Sequence, residues 1–179
     1  MRLAILDRDG VINEDSDDYI KAPEEWRPIP GSLEAIARLN HSGYRVLVVT
    51  NQSGIGRGLF DVEALHRIHD RMRAELHAAG GQVEAVFFCP HRPEDDCPCR
   101  KPRPGLFQDL AARLRVSLDG VPTIGDSARD LEAALAVGAR PILVRTGKGA
   151  ETEGRAGVAA DIPVYENLSA AVDALLDHG

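Results

Sequence analysis

Residues 2–10 read Arg2-Leu3-Ala4-Ile5-Leu6-Asp7-Arg8-Asp9-Gly10. The unbroken apolar run predicts a strand over Arg2–Leu6 covered on both faces, since a half-wet strand would alternate polar and apolar positions. The chain then turns abruptly to charge and glycine. The same step recurs downstream. Tyr44–Val49 gives way to Thr50-Asn51-Gln52-Ser53-Gly54, Val83–Phe88 to Cys89-Pro90-His91, and Val121–Ile124 to Gly125-Asp126-Ser127. Pro141–Val144 and Asp161–Tyr165 are the expected fifth and sixth strands. Helical periodicity fills the intervals. A helix opens at Pro30-Gly31-Ser32 and stops near Gly43. A second is capped by Asp61 and runs to about Ala79. Others follow from Pro104-Gly105 to near Arg115, from Ala128 to Val137, and from Leu168 to Leu176. Strands alternating with helices imply parallel pairing with helices on both faces. The expected class is α/β, a Rossmann-like doubly wound parallel sheet forming one domain over 1–179. Ligands of such sheets bind beyond the carboxyl ends of the strands, which makes the polar residues after each strand the candidate site.

The length of 179 residues is enough for one core without disulfide staples. A net charge of −7 with 4% aromatics argues against nucleic acid and anionic membranes as partners. No apolar run approaches the length of a membrane span, and the N-terminal one is too short for a secretory signal, so a cytoplasmic location is expected. The assembly expected is a monomer, although no residue pattern fixes it. The three cysteines all fall between Cys89 and Cys99, an odd count that speaks against a disulfide framework. Cys89-x-His91-x5-Cys97-x-Cys99 instead supplies three thiolates and one imidazole, the complement of a closed tetrahedral zinc site. Iron fits a similar set, but the imidazole and the tight spacing favour zinc. Four protein ligands leave no open position, so the role is structural: ordering the polar loop 89–99 and fixing Arg100-Lys101, which follow directly.

Asp7-x-Asp9-Gly10, Thr50-Asn51, Lys101-Pro102 and Gly125-Asp126-x-x-x-Asp130 each have an ordinary explanation as turns or caps. Together, in this order and at these strand ends, they resemble the four motifs of the haloacid dehalogenase (HAD) superfamily of phosphotransferases. The match spans nearly the whole chain. Leu6–Gly10, Thr50–Gly54, Cys89-Pro90-His91 and Cys97-x-Cys99-Arg100-Lys101-Pro102 further resemble the D-glycero-D-manno-heptose 1,7-bisphosphate phosphatases, with histidinol-phosphate phosphatases close behind. The resemblance implies a HAD-like fold and a phosphatase whose product feeds surface-glycan and lipopolysaccharide precursors. A bisphosphate would make better use of Arg57 and Arg100 than a cationic amino alcohol phosphate would. A different class, a zinc-containing interaction module, is disfavoured because the set Asp7, Asp9, Thr50, Lys101 and Asp126 is complete.

The chemistry follows from the residue types. Asp7 would be the nucleophile that forms an aspartyl-phosphate, and Asp9 the acid that protonates the leaving alkoxide and then the base that activates water. Asp7 must then be ionised and Asp9 protonated, a division that neighbouring carboxylates can support. Asp7, the Asp9 carbonyl and Asp126 would hold Mg²⁺, a hard cation suited to oxygen ligands. The resemblance gives Thr50 and Lys101 the role of steadying the phosphoryl oxygens.

Ser127 stands where some members carry a lysine, which puts a substrate contact there in doubt. Asp130 reads either as a support for the metal ligands or as a helix-turn solvator. The motif spacing leaves no room for a separate cap domain, so specificity falls to short loops. Asp15 and Tyr19, with Ser16, Asp17 and Asp18 between them, could meet sugar hydroxyls or form a solvated acidic turn. Asn51, Gln52 and Ser53 complete the candidate substrate contacts. His66, His69 and His77 read as a solvated helix face, His41 and His178 as surface residues, and Trp26 as packing a loop edge.

Overall fold

The computed structural model describes residues 2–155 and 161–177; His178 lies outside them. Its strands are β1 (Arg2–Leu6), β2 (Tyr44–Asn51), β3 (Ala85–Cys89), β4 (Pro122–Gly125), β5 (Arg140–Val144) and β6 (Val164–Tyr165). They form one sheet in the order β3-β2-β1-β4-β5-β6, and every pairing is parallel. Helices α1 (Ser32–His41), α2 (Ser53–Gly56), α3 (Val62–Ala78), α4 (Gly105–Leu114), α5 (Ala128–Leu135), α6 (Gly149–Glu153) and α7 (Leu168–Asp177) complete the architecture.

The apolar runs are continuous because the sheet is packed on both sides. In β1, Ala4 and Leu6 join the core beneath α1, α3 and α7, while Leu3 and Ile5 join the core beneath α4 and α5. In β2 the split is Val46 and Val48 against Leu47 and Val49. This is the two-residue period of a strand read on two dry faces. Each such aliphatic side chain contributes about 1.5–3 kcal/mol by leaving water.

Helix α3 begins as expected, with the Asp61 carboxylate accepting from Ala64 N–H at 2.7 Å. Helix α1 ends at Ser42, ahead of Gly43 in the left-handed region at φ 84°. Other boundaries move. β3 starts at Ala85 rather than Val83, because Glu84 N–H already bonds the Val46 carbonyl at 2.8 Å and the register opens at Leu47↔Ala85. β6 shrinks to two residues: Pro163 has no N–H to give, and only its carbonyl joins the ladder, to Leu143 N–H at 3.0 Å. Helix α5 stops at Leu135, where a tighter turn from Ala134 O to Val137 N–H precedes Gly138 at φ 73°. Trp26 is no loop-edge residue. It is fully buried beside Val11, Ile12 and Ile20, apolar anchors that sink this long loop into the core.

The strand order reverses at β1, whose neighbours are β2 and β4. A crevice must open beyond their carboxyl ends. Among the described residues, the loops around it carry only short helices and turns, and no separate cap.

Candidate active site

Asp7 is placed by the sheet itself. Its N–H continues the ladder one residue past β1, donating to the Ile124 carbonyl of β4 at 2.9 Å. A tight turn follows, in which the Arg8 carbonyl accepts from Ile12 N–H at 2.8 Å. Asp7 Oδ1 accepts from Arg8 N–H at 2.8 Å and from Lys101 Nζ at 3.0 Å. Lys101 is itself buried, with Nζ also on the Val49 carbonyl at 2.7 Å and on Asp130 Oδ1 at 2.7 Å. Asn51, at the end of β2, grips the Lys101 backbone twice: its Nδ2 donates to the carbonyl and its Oδ1 accepts from the N–H, each at 3.1 Å. The Lys101–Pro102 peptide is cis.

Asp126 ends β4. Its Oδ2 accepts from Lys148 N–H at 2.8 Å, and its carbonyl accepts from the Thr152 hydroxyl at 2.9 Å. Two glycines make this seat possible. A Cβ on Gly10 (φ 82°) would stand 2.0 Å from Asp126 Oδ2, and one on Gly147 (φ 56°) 2.1 Å. Both positions combine positive φ with close approach, which only glycine accommodates.

Asp9 is clamped on both oxygens. Oδ1 accepts from Arg8 Nε at 3.0 Å, Arg8 Nη2 at 2.8 Å and Asn13 Nδ2 at 2.9 Å. Oδ2 accepts from Gln52 Nε2 at 2.9 Å, and the same amide reaches Thr50 Oγ1 at 3.0 Å. Asp130 is saturated too, since Oδ2 takes Ser127 N–H at 3.0 Å and Ser127 Oγ at 2.8 Å while Oδ1 takes Lys101. Asp130 thus fits both readings, holding Lys101 on one oxygen and capping the start of α5 with the other. Ser127 is spent on that cap.

The charges sort the carboxylates. Burial, with Asp130 nearby, pushes Asp7 up to about 7 against the pull of Lys101. Burial and the charges of Asp7 and Asp130 push Asp126 up to about 8. Burial also opposes ionisation of Asp9, but the Arg8 guanidinium and the bonds from Asn13, Arg8 and Gln52 outweigh it and hold Asp9 below the usual carboxylate range. Without a cation or a phosphate beside them, the order is the opposite of the one the first step of the reaction needs, with Asp7 ionised and Asp9 protonated. The cause is burial, together with the fact that Arg8 spends its charge on Asp9 while Asp7 and Asp126 face each other and Lys101 is shared between Asp7 and Asp130. That excess of negative charge on hard oxygen donors fits a divalent cation; carboxylate oxygens of Asp7, Asp126 and Asp130 lie within 4.8 Å of one another.

Asp7, Asp9, Asp15, Tyr19, Thr50, Asn51, Gln52, Ser53, Arg57, Arg100, Lys101 and Asp126 surround a cavity of about 350 Å³, as do Ser16 and Asp17, whereas Asp18 of the same loop does not line it. The Cys/His set also converges. The thiol sulfurs are 3.1 Å (Cys89 to Cys99) and 3.6 Å (Cys97 to each of the others) apart, and His91 Nδ1 is 3.4 and 3.3 Å from the sulfurs of Cys89 and Cys99. Ligands at 2.3 Å from a tetrahedral zinc stand about 3.7 Å apart, so the donor set fits that ion.

Residues 98–171 match the HAD-hydrolase-like family model. Over 176 residues the chain is 52% identical to the D-glycero-beta-D-manno-heptose-1,7-bisphosphate 7-phosphatase of Bordetella bronchiseptica, covering 98% of both. The enzyme of the same name from Pseudomonas aeruginosa is 50% identical over 174 residues, 97% of each chain. The chain belongs to the heptose-bisphosphate phosphatase family. The crystal structure of the B. bronchiseptica D,D-heptose 1,7-bisphosphate phosphatase, complexed with magnesium and phosphate, matches the whole chain at a TM-score of 0.97 and 51% identity over 100% of both chains. The corresponding Burkholderia thailandensis enzyme matches at 0.79 and 44%, covering 98% of this chain and 99% of its own.

Sequence reasoning missed several members of this heptose-bisphosphate phosphatase site. Lys148 and Arg129 line the crevice, and Lys148 Nζ spans it to Asp15 at 3.5 Å. The Arg8 side chain is fully buried and His69 is almost so, rather than part of a solvated face. For Arg8 a signal existed. It shares the parity of Ala4 and Leu6, the strand positions that face α3.

Proposed function

We propose that this chain removes the 7-phosphate of D-glycero-β-D-manno-heptose 1,7-bisphosphate through an aspartyl-phosphate on Asp7. The supporting observation is the convergence of Asp7, Asp9, Lys101 and Asp126 at the sheet's switch point, in a chain half identical end to end to phosphatases of that name. The Asp7 carboxylate attacks phosphorus, and the bond to the sugar's O7 breaks as that oxygen takes a proton from Asp9, a carboxylate that Arg8 holds ionised in the free enzyme and that takes up this proton from water when the negative charge of the bound phosphate arrives beside it. Asp9 then removes a proton from water, which attacks the phosphoryl-aspartate and frees inorganic phosphate. Lys101 and Thr50 stabilise the phosphoryl oxygens, Lys101 from a position fixed by Asn51 and Asp130. Asp7, Asp126 and the Asp9 carbonyl would hold Mg²⁺, which neutralises the charge that here pushes Asp7 and Asp126 up, and keeps Asp7 ionised.

The 1-phosphate is assigned to the arginines at the crevice. Arg100 Nη1 is buried with no hydrogen-bond partner in the protein, and burial and Arg129 both disfavour its charge, so an anion there relieves both. Arg57 is 3.8 Å from Glu94 and is a weaker candidate. Asp15, Tyr19 and Ser53 are left to the sugar. Zinc held by Cys89, His91, Cys97 and Cys99 would carry Arg100 and Lys101 into place. Thiolate ligands and a biosynthetic role are consistent with the cytoplasm, and among the described residues no helix is long and apolar enough to cross a membrane.

Phosphate release with magnesium, compared among the β anomer, the α anomer and histidinol phosphate, tests this. A preference for the β anomer of a hundredfold or more in kcat/KM, about 2.7 kcal/mol of transition-state discrimination, is expected. Equal turnover of the anomers, or preference for histidinol phosphate, contradicts the assignment.

A further inference from the structure

Helix α3 sends one polar side chain into the core. His69 is 2% exposed, and its Nε2 lies 3.1 Å from Arg8 Nη1. A guanidinium only donates, so His69 Nε2 must be the acceptor, and the imidazole is neutral with its proton on Nδ1. Burial, with the Arg8 charge beside it, holds His69 down at about 3, in keeping with that form. Arg8 is fully buried, and its other two nitrogens both go to Asp9 Oδ1. The three guanidinium nitrogens therefore connect a helix in the core to one oxygen of a carboxylate in the crevice. Asn13 adds a third bond to that oxygen, whereas Oδ2 takes only the Gln52 amide. Neither Arg8 nor His69 is among the residues that line the cavity.

We infer that His69 is a positioning residue for the acid–base step: by fixing Arg8 it pins Asp9 Oδ1 to the protein and leaves Oδ2 as the oxygen that exchanges the proton with the leaving group and with water. The inference rests on the reading of Asp9 as the general acid–base given above. An arginine free to rotate would let the carboxylate turn and offer either oxygen at the wrong angle, and proton transfer tolerates little misalignment. Lys101 bonds Asp7, Val49 and Asp130 rather than Arg8 or His69, and Thr50 is joined to Asp9 through the Gln52 amide on Oδ2 rather than through Arg8.

The separating readout is the leaving group. Departure of a sugar alkoxide needs the proton, whereas a nitrophenolate leaves without it, and kcat/KM reports the steps up to that departure. His69→Leu keeps the volume and removes the acceptor. It is expected to lower kcat/KM for the heptose bisphosphate by about tenfold or more, part of the 10²–10⁴ that general acid catalysis supplies, and to change p-nitrophenyl phosphate by less than about threefold. His69→Gln restores an acceptor for Arg8 and is expected to return the ratio of the two esters toward wild type. Arg8→Lys, which cannot bond Asp9 twice while reaching His69, should give the leucine pattern, and serves if His69→Leu does not fold. Equal losses on both esters, or Gln and Leu behaving alike, overturn the inference. Wild-type turnover of the bisphosphate is read separately: if that fails, the substrate reading is wrong, and the ester comparison is run with any sugar monophosphate the wild type accepts.

Discussion

The crevice and the Cys/His loop lie side by side, and they hold their charges in opposite ways. In the crevice, order comes from the sheet. Asp7 is on the β1–β4 ladder, Asp126 is wedged against two glycines, and Lys101 Nζ is enclosed by Val49, Asp7 and Asp130. The loop after β3 has little core of its own; residues 91–96 are exposed. What gathers it is a set of thiols and an imidazole, with Arg103 bonding the Cys97 carbonyl at 3.0 Å and Gly56 N–H bonding the Pro90 carbonyl at 2.9 Å. Yet Lys101 belongs to both regions, two residues from Cys99. The comparison teaches that a buried cation can be delivered by an unpacked loop, provided one end of that loop is gathered by a Cys/His cluster and the other is held by Asn51.

The comparison is broken most severely on the crevice side. Asp7→Asn should lower kcat/KM by at least about 10³-fold while thermal unfolding shifts by only a few degrees, because the sheet places residue 7 through its backbone. A retained rate would remove Asp7 as nucleophile. The loop side should fail differently. Cys97→Ser, or removal of zinc by chelation, is expected to cost several kcal/mol of stability together with at least about tenfold in activity, restored by zinc and not by magnesium; structural zinc supplies about 10–16 kcal/mol in small peptides. Metal analysis with calorimetry checks it, and full stability without zinc would contradict it.

A smaller effect sharpens how tightly the crevice is built. Gly147→Ala places a methyl against Asp126 Oδ2 and is expected to cost about 1–3 kcal/mol and to raise the magnesium concentration needed for half-maximal rate. An unchanged magnesium dependence would mean that Asp126 does not need this seat.

Legibility in the sequence follows the same divide. Asp7, Thr50 and Asp126 could be found because each directly follows an apolar run that reads plainly, with Asp9 two residues past Asp7, and a parallel sheet sends all such positions to one edge. The cysteine spacing announced its own cluster. His69 and Trp26 could not be placed, because burial of a polar or amphipathic side chain is decided by a partner far along the chain: His69 meets Arg8 61 residues away. Nor could the sense of the Asp7–Asp9 split be read, since it depends on where Arg8 points. β6 was overextended for a local reason, the missing N–H of Pro163.

The least effect expected concerns His69. Its ordinary value of 6.5 falls to about 3 in the fold, through burial first and Arg8 second. The unfolded chain therefore binds one more proton between those values, so this group's contribution to stability is full above about 6.5 and is lost as pH falls toward 3. His69→Gln should remove one proton's worth of that slope in urea unfolding measured across the range; an unaltered slope would show that His69 titrates normally.

The account turns on a covalent phosphoryl group at Asp7. Borohydride added during turnover reduces an acyl phosphate to the alcohol, and peptide mass analysis then locates it. Conversion of Asp7 alone to homoserine is the predicted result. Reduction at another carboxylate, or none in an enzyme that is turning over, would contradict it.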